Sequence, residues 1–215
     1  MKRMYYEMTR SELEVPATFE EYNRVAQFFT KAYNPDSPIL YGTTTAIGNA
    51  VVSPSEYLPR LFGLGGSLFD DSGRVCLVTP AAVTALENYI DSYNYSDKTV
   101  YQWWKGALEG FANGSAAMTV VFMNYASDIV NSQNASIAGK IGYATVPGNK
   151  PLLGGGVVGI TRSSTRTEQA YTFLKWLYSE EIAPIFTMLG GLSPCRTVYK
   201  NQDETRCDRH PSIRM

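Results

Sequence analysis

Histidine is almost missing from this chain: one residue, His210, stands in a polar C-terminal tail. A Ser-His-Asp or Cys-His couple would have to recruit it, and no G-x-S-x-G elbow accompanies it. An imidazole-based metal site fails on the same ground. Cysteine is sparse as well. Cys76, Cys195 and Cys207 follow no CxxC or zinc spacing, and the odd third residue argues against a disulfide framework. Cys195 and Cys207 could still pair in an exported chain. No apolar run reaches the roughly 18 residues that a membrane span needs. Neither charge sign is in excess: 19 Lys and Arg face 20 Asp and Glu, a net charge of -1. There is thus no basic footprint for nucleic acid or for an anionic membrane surface. Charged residues are only 18% of the chain, the reverse of a disordered composition. The opening Met-Lys-Arg-Met-Tyr-Tyr-Glu lacks a following apolar core, so it does not read as a signal peptide. That leaves a cytoplasmic protein, or a chain without its natural beginning.

What the chain does have is apolar and aromatic material. Of 215 residues 44% are apolar, and 15 Tyr, 9 Phe and 3 Trp make up 13%. Such a supply serves either a well-filled core or an aromatic-lined cleft, since Tyr and Trp combine a flat apolar face with a polar handle. Helix signals recur. Thr18-Phe-Glu-Glu21 is a capping box ahead of a helix over about 19–32 with Phe19, Tyr22, Ala26 and Phe29 inward. Ser53-Pro-Ser-Glu-Tyr57 opens another that stops at Gly65-Gly66. Thr79-Pro80 starts a third, with Val83, Leu86, Tyr89 and Ile90 as its expected apolar face. Further helices are expected near 101–112, 125–132 and 167–178, the last with Ala170, Phe173, Leu174 and Leu177 inward, and from Ser179 to Gly190. Strands are expected at 39–42, at 116–122, at 139–146, at 157–160, and on both sides of the Asp-Ser-Gly turn in 67–77. Alternating helices and short strands define an α/β class.

The chemical motifs are thin. Gly154-Gly155-Gly156 lacks the Lys-Ser/Thr of a phosphate loop and precedes a strand instead of opening a helix. A backbone that bends sharply, at a hinge or beside a ligand, is the better account. Asp70-Asp71 before Gly73 mimics the start of a calcium loop, but later ligands are missing, so a turn is expected. No catalytic residue, metal ligand or cofactor is assigned.

Several blocks, in order, carry a resemblance. They are Val15-Pro-Ala-Thr-Phe-Glu-Glu-Tyr22, Phe62-Gly-Leu-Gly-Gly66 with Phe69-Asp70, and Thr79-Pro80 through Tyr89. Phe111-Ala-Asn-Gly-Ser-Ala-Ala-Met118 is the most specific. Gly139 to Gly148, Leu153 to Ile160, Ala170 to Leu177 and Pro194-Cys-Arg196 complete the series. Together they resemble the extracellular solute-binding proteins of ABC sugar importers, of the maltose-binding-protein-like type. The resemblance implies a type II periplasmic-binding-protein α/β fold whose two lobes close on a sugar and deliver it to a membrane permease. It implies an extracytoplasmic location, in the periplasm or on the outer face of the cell membrane. Residues 1–150 would be most of lobe 2, 151–193 a returning segment of lobe 1, and 194–215 the second crossover with the start of a truncated C-terminal part. Such a half-protein leaves unpaired edges that self-association would cover.

Carried over residue by residue, the resemblance implies sugar contacts from Ser53, Ser55, Glu56 and Tyr57 before the second helix. It implies others from Met123, Asn124 and Tyr125, from Gly155 and Gly156 at the hinge, and from Arg196. Gly156 stands where the family often has Trp, which removes a stacking platform. Two further readings stand beside this one. One is an enzyme on the same fold using Cys76; the other is a non-binding fragment that oligomerises.

Overall fold

The computed structural model describes residues 1–47, 50–98, 103–130, 137, 139–189, 191–195 and 197–200. The chain divides into two units: Met1–Val120 with Gly139–Leu152, and Val121–Ala138 with Leu153–Met215.

In the first unit, helix α1 (Lys2–Thr9) is followed by α2 (Phe19–Phe29). The Thr18 hydroxyl accepts the Glu21 amide at 3.1 Å, and the Glu21 carboxylate accepts the Ala17 and Thr18 amides in return. The expected capping box is therefore formed. Phe19, Tyr22, Ala26 and Phe29 are all buried, as their helical spacing requires. Strand β1 (Tyr41–Thr44) and strand β2 (Ala116–Thr119) pair in parallel, with Tyr41 opposite Ala116 and Thr44 opposite Thr119. The crossover between them carries α3 (Ser53–Gly63), α4 (Pro80–Ser92) and α5 (Trp104–Ala112). Gly42 is what lets β1 lie against α2: a Cβ there would sit 1.7 Å from the Ala26 carbonyl oxygen. Gly148, with φ +79, lies against Gly63, where an added Cβ would stand 2.6 Å from the Gly63 Cα, while its amide donates to the Ala17 carbonyl at 2.7 Å. Two apolar clusters fill the unit. Leu61, Ala82 and Ala85 pack with Tyr57, Leu58, Phe62 and Leu68. Ala46, Val52 and Ala107 pack with Trp104.

The second unit holds a 3-10 turn at Met123–Tyr125 and α6 (Ala126–Val130). It continues with α7 (Thr167–Leu177), α8 (Ile182–Met188) and α9 (Thr197–Lys200). The Ser179 hydroxyl accepts the Ile182 amide at 3.3 Å, just ahead of α8. The Tyr199 hydroxyl closes the 193–199 turn by accepting the Ser193 amide and donating to the Ser193 carbonyl, both at 3.0 Å.

Several expectations need correction. The first strand begins at Tyr41, two residues late, because Ser37 ties the preceding turn to the Phe29 and Ile39 carbonyls. The 67–77 segment forms a single antiparallel bridge, Phe69 to Val75, around a turn in which Asp70 accepts bonds from Ser72 and Arg74. No strand forms at 139–146 or 157–160 among the described residues. Leu153 and Val157 are 96% and 99% exposed, and an apolar segment without a neighbouring edge cannot complete a ladder. The buried face of α4 is Ala82, Ala85, Tyr89 and Ser92, while Val83, Leu86 and Ile90 face solvent. Small residues won that face because α3 and α2 approach closely. On α7, Ala170, Leu174 and Leu177 are half-buried and Phe173 is exposed. The polar tail from Asn201, with Cys207 and His210, lies outside the described residues, as do positions 101 and 102 of the expected 101–112 helix.

Candidate ligand site

Parallel strands send their following segments over the carboxyl end of the sheet, where open α/β folds take up ligands. In the first unit that end is built from the chain after β1, the start of α3 and the start of α5. Tyr41, at the amino end of β1, donates to Ser115 just beyond the close of α5, so the first turn of α5 lies toward the carboxyl end. The Trp104 indole N–H then donates to the Ser55 hydroxyl at 2.9 Å, tying the two helix starts together.

Four of the expected contact residues sit here, and their hydrogen bonds differ in kind. Ser55 donates its hydroxyl to the Val52 carbonyl at 2.6 Å while accepting from Trp104, so both of its roles are engaged. Ser53 is half-buried. The Tyr57 hydroxyl donates to the Ala82 carbonyl at 3.3 Å. Glu56 is enclosed. Its carboxylate accepts the Ala46 amide at 3.1 Å and pairs with Arg60, also at 3.1 Å, with the two side chains only 6% and 2% exposed.

Arg60 is gripped from every side. It donates to the Glu56 carbonyl and, at 3.0 Å, to the Asn88 side-chain oxygen. Its guanidinium lies 4.4 Å from the centre of the Phe19 ring and 5.3 Å from that of Tyr89. Asn88 in turn donates to the Phe19 carbonyl, and Asn23 donates to the Asn88 carbonyl and the Asp91 carboxylate. The Tyr89 hydroxyl donates to the Ala46 carbonyl at 2.9 Å, closing the circuit beneath the loop after β1. Burial raises the Glu56 carboxyl above its ordinary range, against the pull of Arg60 and the Ala46 amide. Burial likewise raises the Tyr22 hydroxyl, which shares a hydrogen bond with Thr43. This is a buried polar lattice that fixes the first turn of α3 against α2 and α4.

Met123, Asn124 and Tyr125 form the 3-10 turn that opens the second unit, with Met123 and Asn124 exposed and Tyr125 half-buried. Gly155 and Gly156 are exposed in a segment without regular secondary structure, with open space where a Cβ would stand. Gly154 is the crowded member of the run, against the Phe122 ring. Arg196 lies outside the described residues. The expected contact set is therefore divided between the two units. Sequence reasoning missed Trp103 and Trp104. The sequence places both on the helix expected near 101–112 and assigns neither to the site.

The fold is of the periplasmic-binding-protein-like class. A solute-binding protein of Agrobacterium radiobacter K84, solved in complex with ribitol, matches 94% of this chain with a TM-score of 0.74 and 25% identity. Maltose-bound MalE3 of T. maritima matches 98% with a TM-score of 0.78 at 24% identity. A curated relative from Sinorhizobium fredii is described as a probable amino-acid ABC transporter periplasmic-binding protein. It is 21% identical over 73% of this chain. The model of the bacterial extracellular solute-binding protein family matches residues 3–210, and the chain belongs to that family. It spans 51% and 54% of the two solved structures and 36% of the curated relative.

Proposed function

We propose that this chain is part of the ligand-capturing component of an ABC importer, that its ligand is a sugar or polyol, and that its partner is a membrane permease. The observation that carries this reading is the family membership over residues 3–210, joined to a fold shared with proteins solved with ribitol and maltose. The composition agrees: a sugar is an uncharged ring of hydroxyls with apolar C–H faces, suited to a near-neutral, tyrosine-rich surface. On this reading residues 1–150 are most of lobe 2, 151–193 a returning piece of lobe 1, and 194 onward re-enters lobe 2. Capture proceeds by hinge closure, with contacts from both lobes stabilising the closed state. Ser53, Tyr57, Met123, Asn124, Tyr125, Gly155, Gly156 and Arg196 are the proposed contacts, and Glu56 and Ser55 hold the first turn of α3 beneath them. The chain acts by binding and not by catalysis, in an extracytoplasmic compartment.

A second reading has one observation in its favour: the curated relative is described as serving amino acids. Thermal unfolding against a panel of monosaccharides, disaccharides, polyols and amino acids separates the two. A ligand at 100 times its Kd stabilises by about 2.7 kcal/mol, roughly 5–10 °C for a chain of this size. Stabilisation by a sugar or polyol supports the proposal, and stabilisation by an amino acid alone refutes it.

A further inference from the structure

Among the aromatic side chains at the carboxyl end of the β1–β2 sheet, Trp103 is held in an unusual way. It is 43% exposed, yet its ring meets that of Trp104 edge-on, with centroids 4.8 Å apart and planes at 60°. Trp104 is itself fixed by its indole bond to Ser55 and by packing on Ala46, Val52 and Ala107. Trp103 stands at the residue before α5, in extended backbone, so its ring is not committed to the helix's buried face. The buried residues of α5 are Ala107, Leu108 and Gly110. An exposed indole costs hydration free energy, while one pinned against a second indole has already lost much of its rotamer freedom. That combination suits a binding platform, because little further ordering is required when a ligand arrives.

We propose that Trp103 is a stacking platform for the ligand and that it selects cyclic sugars over open-chain polyols and amino acids. The proposal rests on the carbohydrate reading above and adds a substrate class to it. A pyranose ring presents a flat face of C–H groups that an indole can cover. An open-chain polyol has no such rigid face and binds chiefly through its hydroxyls. Ser55 then acts as a positioning residue: by accepting the Trp104 indole N–H it fixes the ring against which Trp103 rests.

The test compares wild type with Trp103→Ala, Trp103→Phe and Ser55→Ala. Binding of maltose, glucose, ribitol and mannitol is followed by ligand-observed NMR up to the solubility of each compound. Far-ultraviolet circular dichroism follows the exciton couplet that two indoles at this separation produce. Wild type should prefer the cyclic sugars, and one of them should perturb the couplet. Trp103→Ala should abolish the couplet and weaken cyclic-sugar binding by about ten- to a hundredfold, with polyol binding nearly unchanged. Trp103→Phe should recover most of that affinity. Ser55→Ala should shift the couplet and weaken binding less than Trp103→Ala. Maltose or glucose binding to Trp103→Ala as tightly as to wild type overturns the platform, as does a wild type that prefers the polyols, and both outcomes leave the carbohydrate reading intact. A wild type that binds none of the four overturns both. If Trp103→Ala fails to fold, Trp103→Leu takes its place: loss of cyclic-sugar binding with polyol binding kept supports the platform, and wild-type affinity for the cyclic sugars overturns it.

Discussion

Replacing Glu56 by Ala tests whether the buried lattice, rather than apolar packing alone, holds α3 in place. Glu56 and Arg60 are 6% and 2% exposed and pair at 3.1 Å, so the substitution leaves a guanidinium inside the protein without its counter-charge. It also removes the acceptor for the Ala46 amide. Breaking a buried pair from one side costs about 3–5 kcal/mol, and an orphaned buried amide about 1–3 kcal/mol. The terms overlap, and Arg60 keeps Asn88 and the faces of Phe19 and Tyr89, so the net loss should be at least about 3 kcal/mol. For 215 residues that lowers the midpoint of thermal unfolding by roughly 6–12 °C. Urea denaturation of Glu56→Ala beside the double variant Glu56→Leu, Arg60→Met is the assay. The double variant removes both charges and should cost much less than the single one. A single-variant loss below about 1 kcal/mol would refute the reasoning. The pH dependence follows from the same group. Because burial raises the folded-state carboxyl above its ordinary 4.5, the folded protein holds that proton more tightly than the unfolded chain does. This contribution to stability is full below the unfolded value and is lost as pH rises through the raised one. Glu56→Gln should flatten that slope.

Other substitutions address the frame of the first unit. Gly42→Ala should prevent β1 from seating on α2, since its Cβ would fall 1.7 Å from a backbone oxygen; soluble protein with wild-type unfolding would contradict this. Thr18→Ala should cost about 0.5–2 kcal/mol in urea denaturation by removing the capping box. Leu86→Gln should change stability by no more than about 0.5 kcal/mol, because Leu86 lies on the solvent face of α4. A loss above 2 kcal/mol would mean that this face is covered in solution.

What could be read from the sequence was whatever is decided within a few residues. The Thr18–Glu21 box, the Thr79 cap that accepts the Ala82 amide, and the Asp70 turn all close over three or four positions, so their partners are adjacent in the chain. The ordered series of blocks from Val15 to Arg196 was also enough to reach the family. What required the tertiary structure was every choice among distant partners. Residues 139–146 and 157–160 carry strand-like patterns, but a strand exists only where a second edge supplies its hydrogen bonds. On α4, periodicity offered Val83, Leu86 and Ile90 as well as Ala82 and Ala85. The close approach of α2 and α3 favoured the small residues. Glu56 was read from the resemblance as a ligand contact, and folding enclosed its carboxylate between Arg60 and the Ala46 amide, ten residues upstream. The seat of Trp103 depends on Ser55, 49 positions before the indole of Trp104 that it holds. Local rules encode where helices begin because both partners lie in one turn; which face is buried, and which polar group remains available to a ligand, is decided by neighbours that only the folded chain brings together.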